Sequence, residues 1–144
     1  MKQIVVFADG ASRGNPGLAG AGATICWDSQ THHLSVFLGT KTNNEAEYLA
    51  VLLVLRLLSV LLSSTPKNQS LMGSKVLFKL DSKLVVEQMS GRWKIKERRM
   101  KTLVDSCQQL AGELGLKLEF EHISRELNQQ ADWLANQAID LATS

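Results

Sequence analysis

The run Lys75-Val76-Leu77-Phe78-Lys79-Leu80 is a β-strand pattern that leads directly into an acidic residue, Asp81. Residues 2–8, which are rich in β-branched side chains, lead in the same way into Asp9. An acid at the end of an apolar strand is costly unless it is solvated, paired or bound to a metal. Because ligands collect at the carboxyl ends of strands in open sheets, the two aspartates predict a shared site. The alternative is that each aspartate only caps the turn after its strand.

The segments around these two strands predict an α/β fold. A turn-rich loop over residues 10–17 and two strands over residues 20–28 and 33–39 follow the first strand and form an antiparallel meander with it. A core helix is predicted next, from Asn43-Asn44, which can cap it, to about residue 62, and a loop follows over 63–74. After the strand that ends at Asp81, helices are predicted over 82–89 and 97–114, the second of which stops at Gly115. A strand over 116–123 and a helix from residue 126 or 127 to 141 complete the chain. This order predicts a mixed five-stranded sheet, with three antiparallel strands and then parallel strands, flanked by helices.

Length and composition indicate one globular domain over residues 1–144, with 44% apolar and 21% charged residues. The N-terminus lacks a signal-peptide pattern, and the apolar segment over residues 48–62 is shorter than the roughly 20 residues of a membrane span. Cys26 and Cys107 share no metal-ligand spacing with histidines, which favours reduced thiols over a zinc site. A cytoplasmic monomer with no membrane contact is therefore expected.

The net charge of +2 is small, but the cations are unevenly distributed. Six of them lie within ten positions around Trp93, namely Arg92, Lys94, Lys96, Arg98, Arg99 and Lys101. Such a run indicates either a solvated helix face or a patch that contacts phosphates. The residues alone leave both interpretations open.

Glu47 is an acid within the first turns of the predicted core helix, between apolar neighbours. Glu45, two positions earlier, points in another direction and suits the ordinary negative charge of a helix N-terminus. Asp132 is also surrounded by apolar residues, in Ala131-Asp132-Trp133-Leu134-Ala135, where a helix-surface aspartate is the alternative interpretation. A set of carboxylates without histidine or cysteine suits Mg²⁺ or Mn²⁺. Two such ions can activate water and stabilise the leaving oxygen of a phosphoryl displacement.

Four segments of the sequence resemble ribonuclease H of type 1, and they occur in that family's order over almost the whole chain. They are Phe7-Ala8-Asp9-Gly10-Ala11-Ser12-Arg13-Gly14-Asn15-Pro16-Gly17, Thr42-Asn43-Asn44-Glu45-Ala46-Glu47-Tyr48, Leu80-Asp81-Ser82-Lys83-Leu84-Val85-Val86, and Asn128-Gln129-Gln130-Ala131-Asp132-Trp133-Leu134-Ala135-Asn136. The resemblance implies the ribonuclease H fold and an endonuclease that cuts the RNA strand of RNA–DNA hybrids, leaving 5′-phosphate and 3′-hydroxyl ends.

The resemblance also implies which residues form the catalytic site. The catalytic and metal-binding residues that it implies are Asp9, Glu47, Asp81 and Asp132, which would bind two Mg²⁺ or Mn²⁺ ions. It selects Glu47 over Glu45. Some members carry a mobile histidine in the loop before the last aspartate. In this chain that loop is short, His122 precedes it on the predicted strand, and Arg125 resembles the arginine of the subgroup with a short loop. The alternative for Arg125 is a surface ion pair.

Further residues are implied in binding the RNA–DNA hybrid. Asn15, Asn43 and Asn44 resemble residues that contact the hybrid along its minor groove. There the 2′-hydroxyl groups of RNA distinguish it from DNA. Thr42 resembles part of a pocket for a DNA phosphate, with Lys41 nearby.

The segment between the middle helices has no room for the basic protrusion of some family members. Trp93 and Lys94 are expected to contact the DNA strand, or else Trp93 packs under the sheet edge. Hybrid binding weaker or more salt-sensitive than in members with the protrusion is therefore expected.

Two other functions remain open from the residues. One is a nucleic-acid-binding module that has the same fold but no catalysis, which the presence of all four acids disfavours. The other is a related nuclease with a different duplex preference, which the asparagines at positions 15, 43 and 44 disfavour.

Overall fold

A computed structural model of the chain describes residues 3–64 and 71–144. Its strands are β1 (Gln3–Gly14), β2 (Gly17–Trp27), β3 (Gln30–Lys41), β4 (Lys75–Leu80) and β5 (Lys117–His122). Its helices are α1 (Asn43–Ser64), α2 (Lys83–Met89), α3 (Arg98–Leu114) and α4 (Gln129–Ala142), and a 3₁₀ turn, Arg125–Asn128, precedes α4. The predicted order of strands and helices is confirmed, with the 3₁₀ turn as an addition.

The five strands form one mixed sheet in the order β3-β2-β1-β4-β5. β1 pairs antiparallel with β2, and β2 pairs antiparallel with β3, whereas β4 runs parallel to both β1 and β5. The predicted fold class is therefore confirmed. The two parallel connections place helices between strands, as crossover connections require.

The two faces of the sheet are covered differently. Alternate side chains of β1, β2 and β4, such as Val6, Ile25 and Phe78, are fully buried in a core that includes α1. The opposite face of β2 lies against α4, where a Cβ added to Gly20 would lie 2.2 Å from the carbonyl oxygen of Ala135. The two backbones can approach this closely only because glycine has no side chain.

α1 is long and apolar enough, by length and composition alone, to cross a membrane. Within the fold, however, it packs against β1, β2 and α3, and residues such as Val51, Val54 and Leu55 are fully buried. The prediction of a core helix is confirmed, and this packing accounts for the apolar composition. Its outer face leaves Arg56 and Val60 exposed.

The predicted loop over residues 10–17 is wrong. β1 continues to Gly14 and forms a hairpin with β2, whose register runs from Asp9↔Gly22 to Gly14↔Gly17. Its glycines and small residues, typical of loops, here allow neighbouring backbones to approach closely. As a consequence, Asp9 lies inside β1 and not at the end of the strand.

Several boundaries also differ from the prediction. β2 begins three residues earlier than predicted and ends at Trp27, and β3 is longer than predicted at both ends. Asp28, in the tight turn between them, has a positive φ of 50°. α4 begins at Gln129, so Asp132 lies in its first turn, where the sequence prediction placed it in the second. The predicted loop over residues 63–74 falls partly on residues 65–70, which lie outside the described residues. Both cysteines are free thiols, as predicted, and burial raises the pKa of Cys107 to about 12.

Candidate active site

The register of β1 and β4 brings the two strand aspartates together. The last parallel pair between these strands is Phe7↔Lys79. Asp9 and Asp81 each follow two residues later, so the same register places them level with each other. Neighbouring strands lie about 4.8 Å apart. The two acids therefore face one site just beyond the end of β4.

α1 brings a third carboxylate to this site. A Cβ added to Gly10 would lie 2.2 Å from the backbone carbon of Ala46, so β1 and the first turn of α1 are in direct backbone contact. This contact sets Glu47 beside Asp9. One carboxylate oxygen from each of Asp9, Glu47 and Asp81 lies within 4.8 Å of the others.

Asp132 reaches the same site from the first turn of α4. Its carboxyl group lies close enough to Asp9 to form a hydrogen bond with it. Asn136, one helical turn later, donates to the carboxylate Oδ1 of Asp132 at 3.3 Å. Arg13 in turn donates to Asn136 Oδ1 at 3.3 Å and pairs with Asp140 at 2.7 Å. The β1–β2 hairpin is thus connected to the fourth acid.

Burial and mutual repulsion make these carboxyl groups hard to ionise. Burial, with the nearby Asp81 and Asp132, raises the pKa of Asp9 from 3.8 to about 7, against the effect of a hydrogen bond with Glu47. Burial first, and then the charges of Asp9 and Asp81, raise the pKa of Glu47 well above its usual value. A site of this kind favours a cation that neutralises the carboxylates.

The donor set fits a divalent metal ion. Asp9 and Glu47 are only 6% and 9% exposed, and among the described residues Glu47 Oε2 is buried without a hydrogen-bond partner. A buried carboxylate oxygen without a partner is unfavourable unless a ligand binds it. Oxygen-only coordination suits Mg²⁺ or Mn²⁺.

The four acids line one open cleft of about 600 Å³. Asn43, Asn44 and Arg125 line the same cleft. The volume and openness suit a polymer that lies across the cleft, because a small-molecule pocket would enclose most of its ligand.

The sequence comparisons decide which family has this arrangement. A family model described as reverse transcriptase-like matches residues 7–138. A ribonuclease H1 isolated from compost by a metagenomic approach, solved in complex with an RNA/DNA hybrid, is 40% identical. That structure has a TM-score of 0.84 and covers 98% of this chain and 99% of its own. The chain belongs to the ribonuclease H type 1 family.

Two curated relatives show how far the match extends. A bifunctional protein of Mycobacterium tuberculosis is 38% identical over 97% of this chain, but the chain spans only 36% of that relative's length. A ribonuclease H of Alcanivorax borkumensis is 30% identical, with 97% of this chain and 93% of the relative covered. Full-length similarity thus extends to relatives that consist of little more than this ribonuclease H domain.

Glu45 has a structural task in this ribonuclease H domain. The hydroxyl of Thr42 accepts a hydrogen bond from the Glu45 backbone N–H, and the Glu45 carboxylate accepts one from the Thr42 backbone N–H, both at 3.1 Å. This reciprocal pair is a capping box. The prediction that Asn43-Asn44 cap α1 is therefore wrong, and the cap is Thr42. Glu45 also pairs with Arg99 at 3.4 Å.

The residues implied in hybrid binding occupy two regions. Asn15 Oδ1 accepts a hydrogen bond from the backbone N–H of Asn43 at 3.0 Å, which holds the hairpin tip next to the cleft. Trp93 and Lys94 lie apart from the cleft, along a shallow groove beside α3. Trp93 is 45% exposed, so the alternative in which it packs under the sheet edge is wrong. His122 is the last residue of β5, and its Nε2 lies 3.3 Å from the backbone oxygen of Asp81.

Two asparagines next to the acids received no role from the sequence. Asn128 contacts Asp81, and Asn136 contacts Asp132. They lie four residues before and four residues after Asp132. For Asn136 this spacing was a usable signal, because residues four apart on a helix are neighbours, whereas the contact of Asn128 with Asp81 depends on the tertiary fold.

The raised pKa values predict how the stability of the metal-free domain depends on pH. Between about pH 4 and pH 7, the folded chain keeps the Asp9 proton that the unfolded chain has lost, so the free energy of unfolding falls as the pH rises. At about 1.36 kcal/mol per pKa unit, the decrease attributable to Asp9 is at most roughly 4 kcal/mol. Urea titrations in the presence of a chelator at about pH 5 and about pH 8 cover about two of these pKa units and should show a decrease of roughly 3 kcal/mol.

Asp9→Asn is the control for this effect. The variant lacks the titrating group, so its stability should change less between the two pH values than that of the parent. Mg²⁺ should raise the free energy of unfolding of the parent more at about pH 8 than at about pH 5, because protons compete with the metal for the carboxylates. A parent and a variant with the same pH dependence would contradict the role assigned to Asp9.

Proposed function

We propose that this domain is a metal-dependent endoribonuclease that hydrolyses the RNA strand of RNA–DNA hybrids and leaves 5′-phosphate and 3′-hydroxyl ends. The observation that carries the proposal is the convergence of Asp9, Glu47 and Asp81 from three different elements to within 4.8 Å, in a cleft that Asp132 completes. The ribonuclease H1 with 40% identity was solved with such a hybrid, which supports the same substrate class.

The four carboxylates would hold two Mg²⁺ or Mn²⁺ ions. Bound there, the ions supply an activated water and charge stabilisation for the leaving 3′-oxygen. The residues of the chain hold the four acids in place through β1, α1, β4 and α4. Arg125, which lines the cleft and is exposed, supplies a positive charge next to the scissile phosphate.

The asparagine cluster beside the acids is suited to the RNA strand. Asn43 and Asn44 line the cleft, and Asn15 is held to Asn43. Amide side chains both donate and accept hydrogen bonds, as does a 2′-hydroxyl group. We infer that this cluster reads the ribose hydroxyls in the minor groove and thereby selects RNA next to the cleavage site.

The DNA strand would lie along Thr42, Trp93 and Lys94. The Thr42 hydroxyl accepts from the Glu45 N–H and keeps its own hydrogen to donate, and it stands at the N-terminus of α1, which favours a phosphate. Trp93 and Lys94 extend this path along the groove beside α3. An exposed tryptophan next to a lysine suits contact with a sugar–phosphate backbone.

Ion pairs reduce the number of cations that are available to phosphates. Arg92 bonds Glu87 through two hydrogen bonds of 2.6 and 3.1 Å. Arg99 and Lys101 also pair with acids, Arg99 with Glu45 and Glu97 and Lys101 with Asp105. Among the described residues, Lys94, Lys96 and Arg98 have no acidic partner within 4 Å. Both interpretations of the basic run therefore apply: one half of its cations form solvated ion pairs, and the other half form an open patch that is available to phosphates.

Lys94→Gln is expected to lower the salt dependence of hybrid binding. Each phosphate contact releases counterions, so the slope of log affinity against log salt should decrease in magnitude by about 1. Arg92→Gln, the matched control, removes a cation that Glu87 already neutralises and should change the slope less. Fluorescence anisotropy with a labelled hybrid and Ca²⁺ in place of Mg²⁺ measures both. Equal slopes for Lys94→Gln and the parent would exclude a phosphate contact by Lys94.

A cleavage assay on end-labelled duplexes tests the proposed function. The parent with Mg²⁺ or Mn²⁺ should cut RNA–DNA and leave DNA–DNA intact, and Asp81→Asn should cut neither. A hybrid that is cut as fast by Asp81→Asn as by the parent would refute the mechanism. A parent that binds the hybrid without cutting it would instead indicate a non-catalytic binding module, and preferential cleavage of RNA–RNA would indicate a nuclease with another substrate.

A further inference from the structure

We propose that Asn128 is a positioning residue that orients the Asp81 carboxylate for metal binding. Asn128 is the last residue of the 3₁₀ turn before α4 and is only 1% exposed. Its side-chain Nδ2 donates to the backbone oxygen of Ala8 at 2.9 Å and to Asp81 Oδ2 at 3.0 Å. The proposal rests on the metal site of the proposed function, because its consequence is a change in metal affinity.

The two hydrogen bonds of Asn128 lie beyond the end of the pairing between β1 and β4. Strand pairing between β1 and β4 ends at Phe7↔Lys79, before either aspartate. Asn128 connects the residue before Asp9 to the carboxylate of Asp81, and thus bridges the two strands beyond their last pair. It takes the place of a strand–strand hydrogen bond at the level of the site.

The contact with Asp81 also restricts a side chain that would otherwise rotate. The terminal torsion of an aspartate is broad, so the carboxylate alone has no single preferred plane. A hydrogen bond from a buried amide fixes that plane. Ligand carboxylates held by such outer contacts lose less conformational freedom when the metal binds, which is why these contacts affect metal affinity.

The amide orientation follows from its two partners. Ala8 O and Asp81 Oδ2 both accept hydrogen bonds, so the NH₂ group has to face them, and Oδ1 points away. Among the described residues, Asn128 Oδ1 is buried without a partner. An unpartnered buried carbonyl is unfavourable for folding. The side chain is therefore placed for its two donated hydrogen bonds, one of which acts on a metal-binding acid.

Mn²⁺ titration of the protein alone tests the proposal. In Asn128→Ala and in the volume-matched Asn128→Leu, the dissociation constant for Mn²⁺ measured by calorimetry should rise about 10- to 100-fold. Hybrid assays should show a lower kcat at a given Mg²⁺ concentration, with the KM for the hybrid changed less than about threefold. Val104→Ala, a buried truncation in α3, is the control for a loss of stability alone and should bind Mn²⁺ like the parent.

Unchanged Mn²⁺ affinity in both Asn128 variants would overturn the proposal, and so would an equal loss in Val104→Ala. If both Asn128 variants fail to fold, NMR on the parent decides. Saturating Mg²⁺ should then shift the side-chain amide resonances of Asn128, and resonances that do not respond would overturn the proposal. A parent that binds Mn²⁺ but cuts no hybrid would refute the proposed function and leave this test valid. If the parent cuts the hybrid and the Asn128 variants bind Mn²⁺ with the affinity of the parent, only the role of Asn128 is refuted.

Discussion

Glu47→Gln is expected to lower the rate of hybrid hydrolysis by about 10³-fold or more, whereas Glu45→Gln should leave it within about threefold of the parent. Glu47 contributes one of the three carboxylates that lie within 4.8 Å of one another. Its loss would weaken the proposed metal site, because a bound ion can contribute several kcal/mol of charge stabilisation. Glu45, two residues earlier, bonds the Thr42 backbone and Arg99. Glutamine can still accept the capping hydrogen bond, so only the ion pair is lost.

Single-turnover cleavage of a labelled hybrid at saturating Mg²⁺ compares the two variants directly. Thermal unfolding in a chelator provides the second readout. Glu47→Gln should be at least as stable as the parent at about pH 8, because the buried carboxylate is removed, and Glu45→Gln should lose less than about 1 kcal/mol. Equal activities for the two variants would show that the glutamate of the site has been wrongly assigned.

Gly22→Ala is expected to destabilise the fold by about 3 kcal/mol or more and to abolish hybrid cleavage. A Cβ at this position would lie 2.2 Å from the backbone oxygen of Ala131 and 2.4 Å from the backbone nitrogen of Ala135. Both are backbone atoms of α4, so a rotamer change cannot relieve the overlap. α4 would have to move away from β2 and would carry Asp132 with it.

Gly112→Ala is the matched control for the glycine substitution. Gly112 lies within α3, and a Cβ there would meet no atom within 4 Å. Alanine should stabilise the helix by about 0.5 to 1 kcal/mol with unchanged cleavage. Urea titrations of both variants measure the effects. A Gly22→Ala variant as stable as the parent would mean that the contact between β2 and α4 is looser than the structure describes.

The residue pattern predicted the element order well because each element carries a local signal. Lys75–Leu80 is a short apolar run that ends at an acid, and α1 contains an apolar run that is too long for a strand. The pattern failed at residues 10–17, where glycine and serine are typical of a loop. There a long-range cause, the close approach of α1 at Gly10, makes small residues necessary inside a strand.

By itself, the sequence singled out the candidate site residues, through the acids next to apolar segments and the four segments that resemble ribonuclease H. It also determined the order of the strands and helices along the chain. Only the tertiary structure decided how these residues meet. The register of β1 on β4 makes Asp9 and Asp81 level, and the contact at Gly10 sets Glu47, not Glu45, beside them. Asn128 was found to connect the strands only once the fold was known. The physical reason is that each of these contacts joins residues far apart in the chain, and no local periodicity records such a distance.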